Sequence, residues 1–271
     1  MGAQLSGPRR TLVLGVGEVP WDAPVAAADD AGLRGDGFFE TLLVRGRHAV
    51  RLAAHLDRFE RSAAAFGVGL DRDAWTALAV AATADLPAAG EAVLRWSLSR
   101  DGLGLVTVRP VPDGVRAGRR GVDVVTLARG TATVPDAPWL LAAAKTSSYA
   151  VNSAALREAA RRGAQDALFV DADGLVLEAP TANLLWTAGG RWFTPPRSGR
   201  AVLPGTTLEA VAGELNVEEA HVRPAELAGA DGAWLLSSLR GAAPVLRLDG
   251  TALPHDADRT AALRGIALGT G

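Results

Sequence analysis

Phe38-Phe39-Glu40-Thr41-Leu42-Leu43-Val44-Arg45, then Gly46-Arg47, then Leu52, Leu56, Phe59, Ala63 and Phe66, is the stretch on which the fold turns. The first eight residues are mostly aromatic, aliphatic or β-branched and read as a strand, with Gly46-Arg47 as a hairpin turn. The five apolar residues that follow stand at i, i+4, i+7, i+11 and i+14, one stripe of an α-helix that Gly67 ends. A strand, a tight turn and an amphipathic helix in close succession predict a mixed architecture.

Outward from this stretch, Thr11 to Gly17 reads as a first strand and turn. A second helix is expected over 73–84, ending before Pro87, and strands over 92–99, 104–110 and 122–128. Gly130 to Pro138 holds two prolines and no periodicity, which marks a linker. Beyond it the pattern predicts a helix over 149–162 stopped by Gly163, then a hairpin of Ala167–Val170 and Leu175–Ala179 around Asp171-Ala172-Asp173-Gly174. A strand pair flanks Gly189-Gly190, and a helix starts near Thr206, which has capping-box spacing to Glu209. The strand Ala233–Leu236 leads into a turn at Ser237-Ser238. The expected organisation is α/β (α+β) in two domains, 1–129 and 139–271, joined by a linker at 130–138.

The chain has 271 residues, a net charge of -2, 48% hydrophobic and 21% charged residues, a globular composition that excludes a mainly disordered chain. With no cysteine there is no disulfide, no thiolate nucleophile and no Cys-ligated metal. The near-neutral charge gives no footprint for nucleic acid. No apolar run approaches the roughly 18 residues a membrane helix needs. Arg9-Arg10 before Thr11–Gly17 briefly looks like a signal peptide, but Glu18-Val19-Pro20 cuts the run short. Met1-Gly2-Ala3-Gln4-Leu5-Ser6 fits a myristoylation pattern without a polybasic segment. A soluble, cytoplasmic protein with no membrane or nucleic-acid partner is expected. The four histidines, His48, His55, His221 and His255, lack metal spacing, so no metal is expected.

Lys145 is the one lysine beside 27 arginines. Arginine supplies positive charge but cannot act as an amine nucleophile, so the lone lysine is a candidate for that chemistry. It follows Leu140-Leu141-Ala142-Ala143-Ala144, an apolar run suited to desolvating an amine, and a lysine so placed suits a Schiff base with a carbonyl substrate or pyridoxal phosphate. Such a cofactor needs a phosphate cradle, an acid at the pyridine nitrogen and a clamp for the substrate carboxylate. Gly205-Thr206-Thr207, at a helix start, is either an anion site or an ordinary N-cap, and Ser237-Ser238 adds hydroxyls. Arg58 lies off the apolar stripe of its helix, between His55 and Ser62, and reads as a phosphate ligand or a solvated arginine. Glu178 sits in an apolar strand on the Val176 face, either paired with a pyridinium N–H or facing water at an edge. Arg95 and Arg100 flank Trp96-Ser97-Leu98-Ser99, and either could fork onto a carboxylate.

Together these segments resemble the fold-type IV pyridoxal-phosphate enzymes: branched-chain and D-amino-acid aminotransferases and aminodeoxychorismate lyases. Gly35-Asp36-Gly37-Phe38-Phe39-Glu40-Thr41 resembles the family's G-D-G-x-F-E-T, and His55-Leu56-Asp57-Arg58 its H-L-x-R, whose Arg contacts the cofactor phosphate. Ala144-Lys145-Thr146 is similar to the Schiff-base segment. Glu178 with Asn183-Leu184-Leu185 resembles E-x4-N-[LI], whose Glu pairs with the pyridine nitrogen, and Leu203-Pro204-Gly205-Thr206-Thr207 resembles the phosphate-binding L-x-G-[IV]-[TM]. The resemblance implies a small amino-terminal α/β domain, a larger barrel-like carboxy-terminal domain, pyridoxal 5′-phosphate between them and a homodimer. It implies that Lys145 is catalytic and that Arg58, Lys145, Glu178, Asn183, Gly205, Thr206, Thr207 and Ser238 hold the cofactor. Arg95, Arg100 and Glu40 are candidates for the substrate, a small amino compound. Tyr149, the only tyrosine, follows Lys145 by one helical turn and reads either as a cofactor or substrate contact or as core packing.

The short chain favours the lyases and D-amino-acid aminotransferases. Ser238-Leu239-Arg240-Gly241-Ala242-Ala243-Pro244-Val245 is similar to the lyases' N-[SA]-L-x-x-x-x-P-V, with Ser237 in place of Asn. Ser99-Arg100 resembles the lyases' S-R-G and the D-amino-acid enzymes' T-R-G, with Asp101 in place of the glycine. Glu40 is the aminotransferase-like residue. The leading expectation is a lyase that makes 4-aminobenzoate, a folate precursor, and pyruvate from 4-amino-4-deoxychorismate. The alternative is an aminotransferase for D- or branched-chain amino acids. A catalytically dead relative acting as a binding protein is a third reading, against which Lys145 and Glu178 stand.

Overall fold

The computed structural model describes residues 9–21, 30–130, 138–141, 144–197 and 202–269. The amino-terminal pattern Met1–Ser6 and most of the expected linker lie outside these residues. The described chain falls into two compact units, one within 1–113 together with Ala144–Tyr149, the other within 114–143 and 150–271.

The first unit runs β1 (Arg10–Val13), β2 (Gly17–Val19), α1 (Asp30–Leu33), β3 (Gly37–Arg45), β4 (His48–Ala49), α2 (Leu52–Ala65), α3 (Arg72–Thr83), β5 (Glu91–Ser99) and β6 (Gly104–Pro110). Its strands form one antiparallel sheet in the order β2-β1-β6-β5-β3-β4. The β3–β5 register pairs Phe38 with Leu98, Phe39 with Ser97, Glu40 with Trp96 and Thr41 with Arg95. Directly opposed residues share a face, so Phe38, Glu40, Leu42, Leu94, Trp96 and Leu98 look one way and Phe39, Thr41, Arg95 and Ser97 the other. The first face meets α2 and α3 through an aromatic cluster. Phe59 lies 4.9 Å from Phe38, 4.8 Å from Trp75 and 5.7 Å from Trp96, centroid to centroid.

Helix α2 carries the expected stripe, with Leu56, Phe59, Ala63 and Phe66 buried. It also buries His55, Arg58 and Ser62, a polar row at i, i+3 and i+7, so two adjoining faces of the helix are covered. The β3–β4 connection is the expected two-residue turn. Gly46 sits at φ 57°, and a side chain on it would strike the Ala88 carbonyl at 2.6 Å.

Helix α4 (Asp113–Gly118) leads into the second unit, which contains β7 (Val122–Ala128), a 3₁₀ turn at Pro138–Leu140, α5 (Ala150–Arg161), β8 (Asp166–Val170), β9 (Asn183–Ala188) and β10 (Arg191–Thr194). It continues through α6 (Thr206–Glu214), β11 (Val217–Glu219), α7 (Pro224–Leu227), β12 (Gly232–Ser237), β13 (Gly241–Leu248), β14 (Thr251–Ala252) and α8 (Ala257–Leu268). The sheet order is β11-β10-β9-β12-β13-β7-β8, with β14 on β13; β7 lies parallel to both its neighbours. Strands β9 and β12 are apolar and buried almost throughout, as strands covered on both faces should be. Leu185, Trp234 and Leu236 pack with Leu208 and Val211 of α6 and Leu263 of α8. Leu184, Trp186 and Leu235 join Leu168, Val176 and Val245 in the other core.

The observed division departs from the expected one. Strand β7 belongs with the second unit through its parallel pairing to β8 and β13, whereas Ala144–Tyr149 belongs with the first. The second hairpin arm is not a regular strand. Phe169 N–H donates to Glu178 and Leu177 N–H to Phe169, but Val176 N–H donates to Val222, and only isolated bridges remain. Val176 and Leu177 are both buried, so the alternation expected around Glu178 is lost. Helix α6 is capped by Gly205 rather than Thr206, with no side-chain cap, so the expected capping box is absent from its start.

Phe59→Ala removes the centre of the aromatic cluster and is expected to cost about 3–5 kcal/mol. Urea unfolding followed by the fluorescence of Trp75 and Trp96 measures the loss.

Candidate active site

In the first unit the segment bearing Lys145 is bonded along the start of β3. Phe39 N–H donates to the Lys145 carbonyl at 2.9 Å, Ser147 N–H to Gly37 at 2.7 Å, and Phe38 bridges Thr146. The Lys145 N–H donates to Ser62 Oγ at 3.2 Å, so α2 fixes the same residue from its polar row. The lysine Nζ lies 4.8 Å from the Phe39 ring centroid and 5.9 Å from that of Tyr149. Tyr149 meets Phe39 edge to face at 5.2 Å, which places it beside the amine. The rings of Phe39 and Tyr149 flank the amine; of the apolar run before Lys145, Leu140 is half exposed, Ala144 is buried and Ala142-Ala143 lie outside the described residues.

Arg95 lies on the Phe39 face of the sheet, its guanidinium carbon 3.9 Å from the ring centroid. Burial lowers its pKa, as does the like charge of Arg109, and Tyr149 opposes them. The group stays a cation, over the Phe39 ring on the lysine's side of the sheet.

On the opposite face, Glu40 has no exposed surface. Arg58 grips it with two bonds, Nε to Oε1 at 2.7 Å and Nη2 to Oε2 at 2.8 Å, and His55 Nδ1 lies 2.7 Å from Oε2. Burial opposes ionisation of Glu40, but the charge and hydrogen bonds of Arg58 and His55 outweigh it and hold its carboxyl well below the usual range. Burial also pushes the His55 pKa down, against the pull of Glu40, and because a carboxylate can only accept, His55 Nδ1 is the donor of the bond between them. Glu40, expected at the substrate, is thus engaged inside the unit, where it orients Arg58. Arg100 stands in the turn after β5 with an exposed side chain 4.0 Å from the Asp36 carboxylate. Asp101, which replaces the family's glycine, accepts the Ala31 N–H of α1 at 3.2 Å.

In the second unit Glu178 Oε2 accepts Asn183 Nδ2 at 3.2 Å and the Leu203 N–H at 3.1 Å. Asn183 Nδ2 also donates to the Leu203 carbonyl at 2.9 Å. A Cβ on Gly205 would lie 1.7 Å from Asn183 Oδ1, so the start of α6 closes on Asn183 only because the residue is glycine. Thr206 and Thr207 are buried in the first turn of α6, where helical N–H groups lack intrahelical acceptors. Ser238 is half-buried in the turn between β12 and β13. Asn152, which drew no attention in the sequence, donates to the Pro180 carbonyl at 2.7 Å and ties α5 to the turn after Glu178. Among the described residues no cluster of His, Asp and Glu could hold a metal, and no helix is long and apolar enough to cross a membrane.

The fixed amine of the first unit, and in the second unit a carboxylate oriented by amide donors and a helix start closed around glycine, are each of a chemistry that suits pyridoxal phosphate. The model of the amino-transferase class IV family matches residues 37–248; the chain belongs to that family, and its cofactor is pyridoxal 5′-phosphate. A bifunctional aminodeoxychorismate lyase / D-amino acid transaminase of Mycobacterium tuberculosis is 42% identical over 260 residues, 86% of this chain and 89% of that protein. A structure described as a hypothetical aminotransferase from M. tuberculosis in its PLP-bound form superposes with a TM-score of 0.89 at 38% identity, over 96% of this chain and 99% of that one. The fold IV transaminase CpuTA1 of Curtobacterium pusillum superposes with a TM-score of 0.90 at 36% identity, over 97% and 98%.

Glu40→Gln leaves the Arg58 cation buried without its counter-charge and is expected to destabilise the protein by about 3–5 kcal/mol at pH 7. Because the folded-state pKa of Glu40 is depressed, its contribution is complete above the unfolded value of about 4.3 and is lost as pH falls toward the folded value. The gap between the two proteins in urea unfolding therefore narrows from pH 7 to pH 3. Gly205→Ala is expected to displace Asn183 and weaken cofactor retention, read as loss of visible absorbance on gel filtration.

Proposed function

We propose that the chain is a pyridoxal-phosphate-dependent lyase that converts 4-amino-4-deoxychorismate to 4-aminobenzoate and pyruvate, and that the same residues transaminate D-amino acids. The observation that carries the reading is Lys145, the one lysine of the chain, held by Phe39 and Ser62 with its amine beside the Phe39 and Tyr149 rings. The pairing of the two activities is supported by the 42% identity to the bifunctional mycobacterial relative over most of both chains. The reading includes a homodimer and a role in supplying a folate precursor.

When bound, pyridoxal phosphate supplies an electron-accepting ring joined to the amine-bearing carbon of the substrate. Lys145 would hold the cofactor through its amine and, once freed, would serve as the base for the proton on that carbon. Glu178, oriented by Asn183 and the Leu203 N–H, would hold a proton at the ring nitrogen. Arg58, bonded twice to Glu40, would serve the phosphate, as would Gly205, Thr206, Thr207 and Ser238. Arg95 and Arg100 are the cations offered to the substrate carboxylate, and Tyr149 shields the lysine amine from water. The two reactions share the first proton removal. In the lyase reaction pyruvate departs and the substrate ring becomes aromatic, which drives the step forward. In transamination Lys145 would act a second time, as the acid that gives the proton back.

The test follows 4-aminobenzoate and pyruvate from 4-amino-4-deoxychorismate, and in parallel pyruvate from D-alanine with 2-oxoglutarate. Equal release of 4-aminobenzoate and pyruvate, with measurable transamination, is expected. Lys145→Ala should abolish both activities and the visible absorbance of the lysine-bound cofactor. A protein that holds the cofactor but releases no 4-aminobenzoate rejects the lyase; a yellow, active Lys145→Ala variant rejects the lysine assignment.

A further inference from the structure

The turn Ser238-Leu239-Arg240 joins β12 to β13, and Gly241, at φ 70°, closes the hairpin with its backbone paired to Ser237. Two guanidinium groups, those of Arg240 and Arg119, are committed to this three-residue turn. The Arg240 side chain turns inward, 8% exposed, with Nη2 2.7 Å from Asp166 Oδ2 and 3.3 Å from Thr181 Oγ1. Asp166, the first residue of β8, is 1% exposed, and its other oxygen accepts the Ala167 N–H at 2.8 Å. Thr181 lies between Glu178 and Asn183, so one guanidinium joins the turn to the loop that carries the acid and its amide partner. From the other side Arg119 donates Nε and Nη2 to the Leu239 carbonyl at 3.0 and 2.6 Å, and Arg264 donates to the Arg119 carbonyl. Gly118 leaves room for the Arg240 stem, since a Cβ there would lie 3.3 Å from Arg240 Cδ.

A buried ion pair is a poor source of stability, because desolvation of both charges offsets their attraction; what it fixes is geometry. We infer that Arg240 and Arg119 are positioning residues that set the Ser238–Arg240 turn to receive the cofactor's phosphate and hold it in register with the Glu178 loop. The inference rests on the reading of Ser238 as a phosphate ligand.

The experiment separates the two claims by comparing pyridoxal 5′-phosphate with pyridoxal, which lacks the phosphate. Apoprotein prepared from the purified enzyme is titrated with each, and dissociation constants are read from visible absorbance. Arg240→Met and Arg119→Gln are each expected to weaken pyridoxal 5′-phosphate binding about tenfold, roughly 1.4 kcal/mol, and to leave pyridoxal binding unchanged. Ser238→Ala should show the same selective loss, and Arg240→Lys, which keeps a cation for Asp166, should recover part of it. Equal loss for both ligands means a general structural role and overturns the inference. Selective loss in Ser238→Ala alone overturns it while leaving the phosphate reading intact. No selective loss in any variant removes the phosphate reading of the turn and the inference with it. If Arg240→Met does not fold, Arg119→Gln, which takes two hydrogen bonds from the Leu239 carbonyl, decides the matter by the same criteria.

Discussion

A carboxylate with no exposed surface in the middle of a strand is the constraint from which the first unit is organised. Glu40 cannot remain ionised on a buried sheet face without a matching cation and enough donors to replace water. Arg58 and His55 meet that requirement, and both come from α2. Their bonds set the rotation of the helix over the sheet. That rotation carries Ser62, one turn after Arg58, to the main-chain N–H of Lys145. The same strand that bears Glu40 bonds the lysine segment along its edge through Gly37 and Phe39. One buried acid is in this way linked to the position of the reactive amine without touching it.

The second unit solves a comparable problem with an amide. Asn183 donates to Glu178 and to the Leu203 carbonyl, and its oxygen fills the space that a side chain at residue 205 would need. An acid and a helix start are therefore tied to one side chain, so their spacing is written into a single residue. In both units buried polar partners and main-chain groups fix Glu40, Arg58, Glu178 and Asn183, which gives direction as well as position.

Elements with strong periodicity were legible in the sequence: β3, the Gly46-Arg47 turn, α2 and the paired strands around Gly189 stand where the pattern puts them. Lysine usage isolated Lys145, and the order of the motifs gave the family. The failures share a cause. Periodicity marks apolar faces, and it is silent about polar residues that are buried because they answer one another. Glu40 is a substrate candidate only through its place in the G-D-G-x-F-E-T segment; the partners that engage it in the fold lie 15 and 18 residues away, on a different element. The arm at Leu175–Ala179 looked like a strand because its residues are apolar, but Val176 gives its N–H to Val222, a long-range choice that no local pattern encodes. Asp101 looked like a departure from a glycine motif, and its use, an N–H at the start of α1, is again made at long range.

The lysine segment has a consequence for how the chain can be divided. Ala144–Tyr149 belongs to the first unit although the residues on both sides of it, 114–143 and 150–271, fall within the second. The polypeptide therefore passes from one unit to the other three times, and neither unit is a continuous stretch that a single cut releases whole. A fragment ending near Asp113 would keep β3 but leave its Phe39 N–H and Gly37 carbonyl without the main-chain partners that Lys145 and Ser147 supply. Such an edge is open to pairing with another chain. The segment of the chain's one lysine is thus also a piece of sheet, and the covalent path of the chain keeps truncation from separating the two.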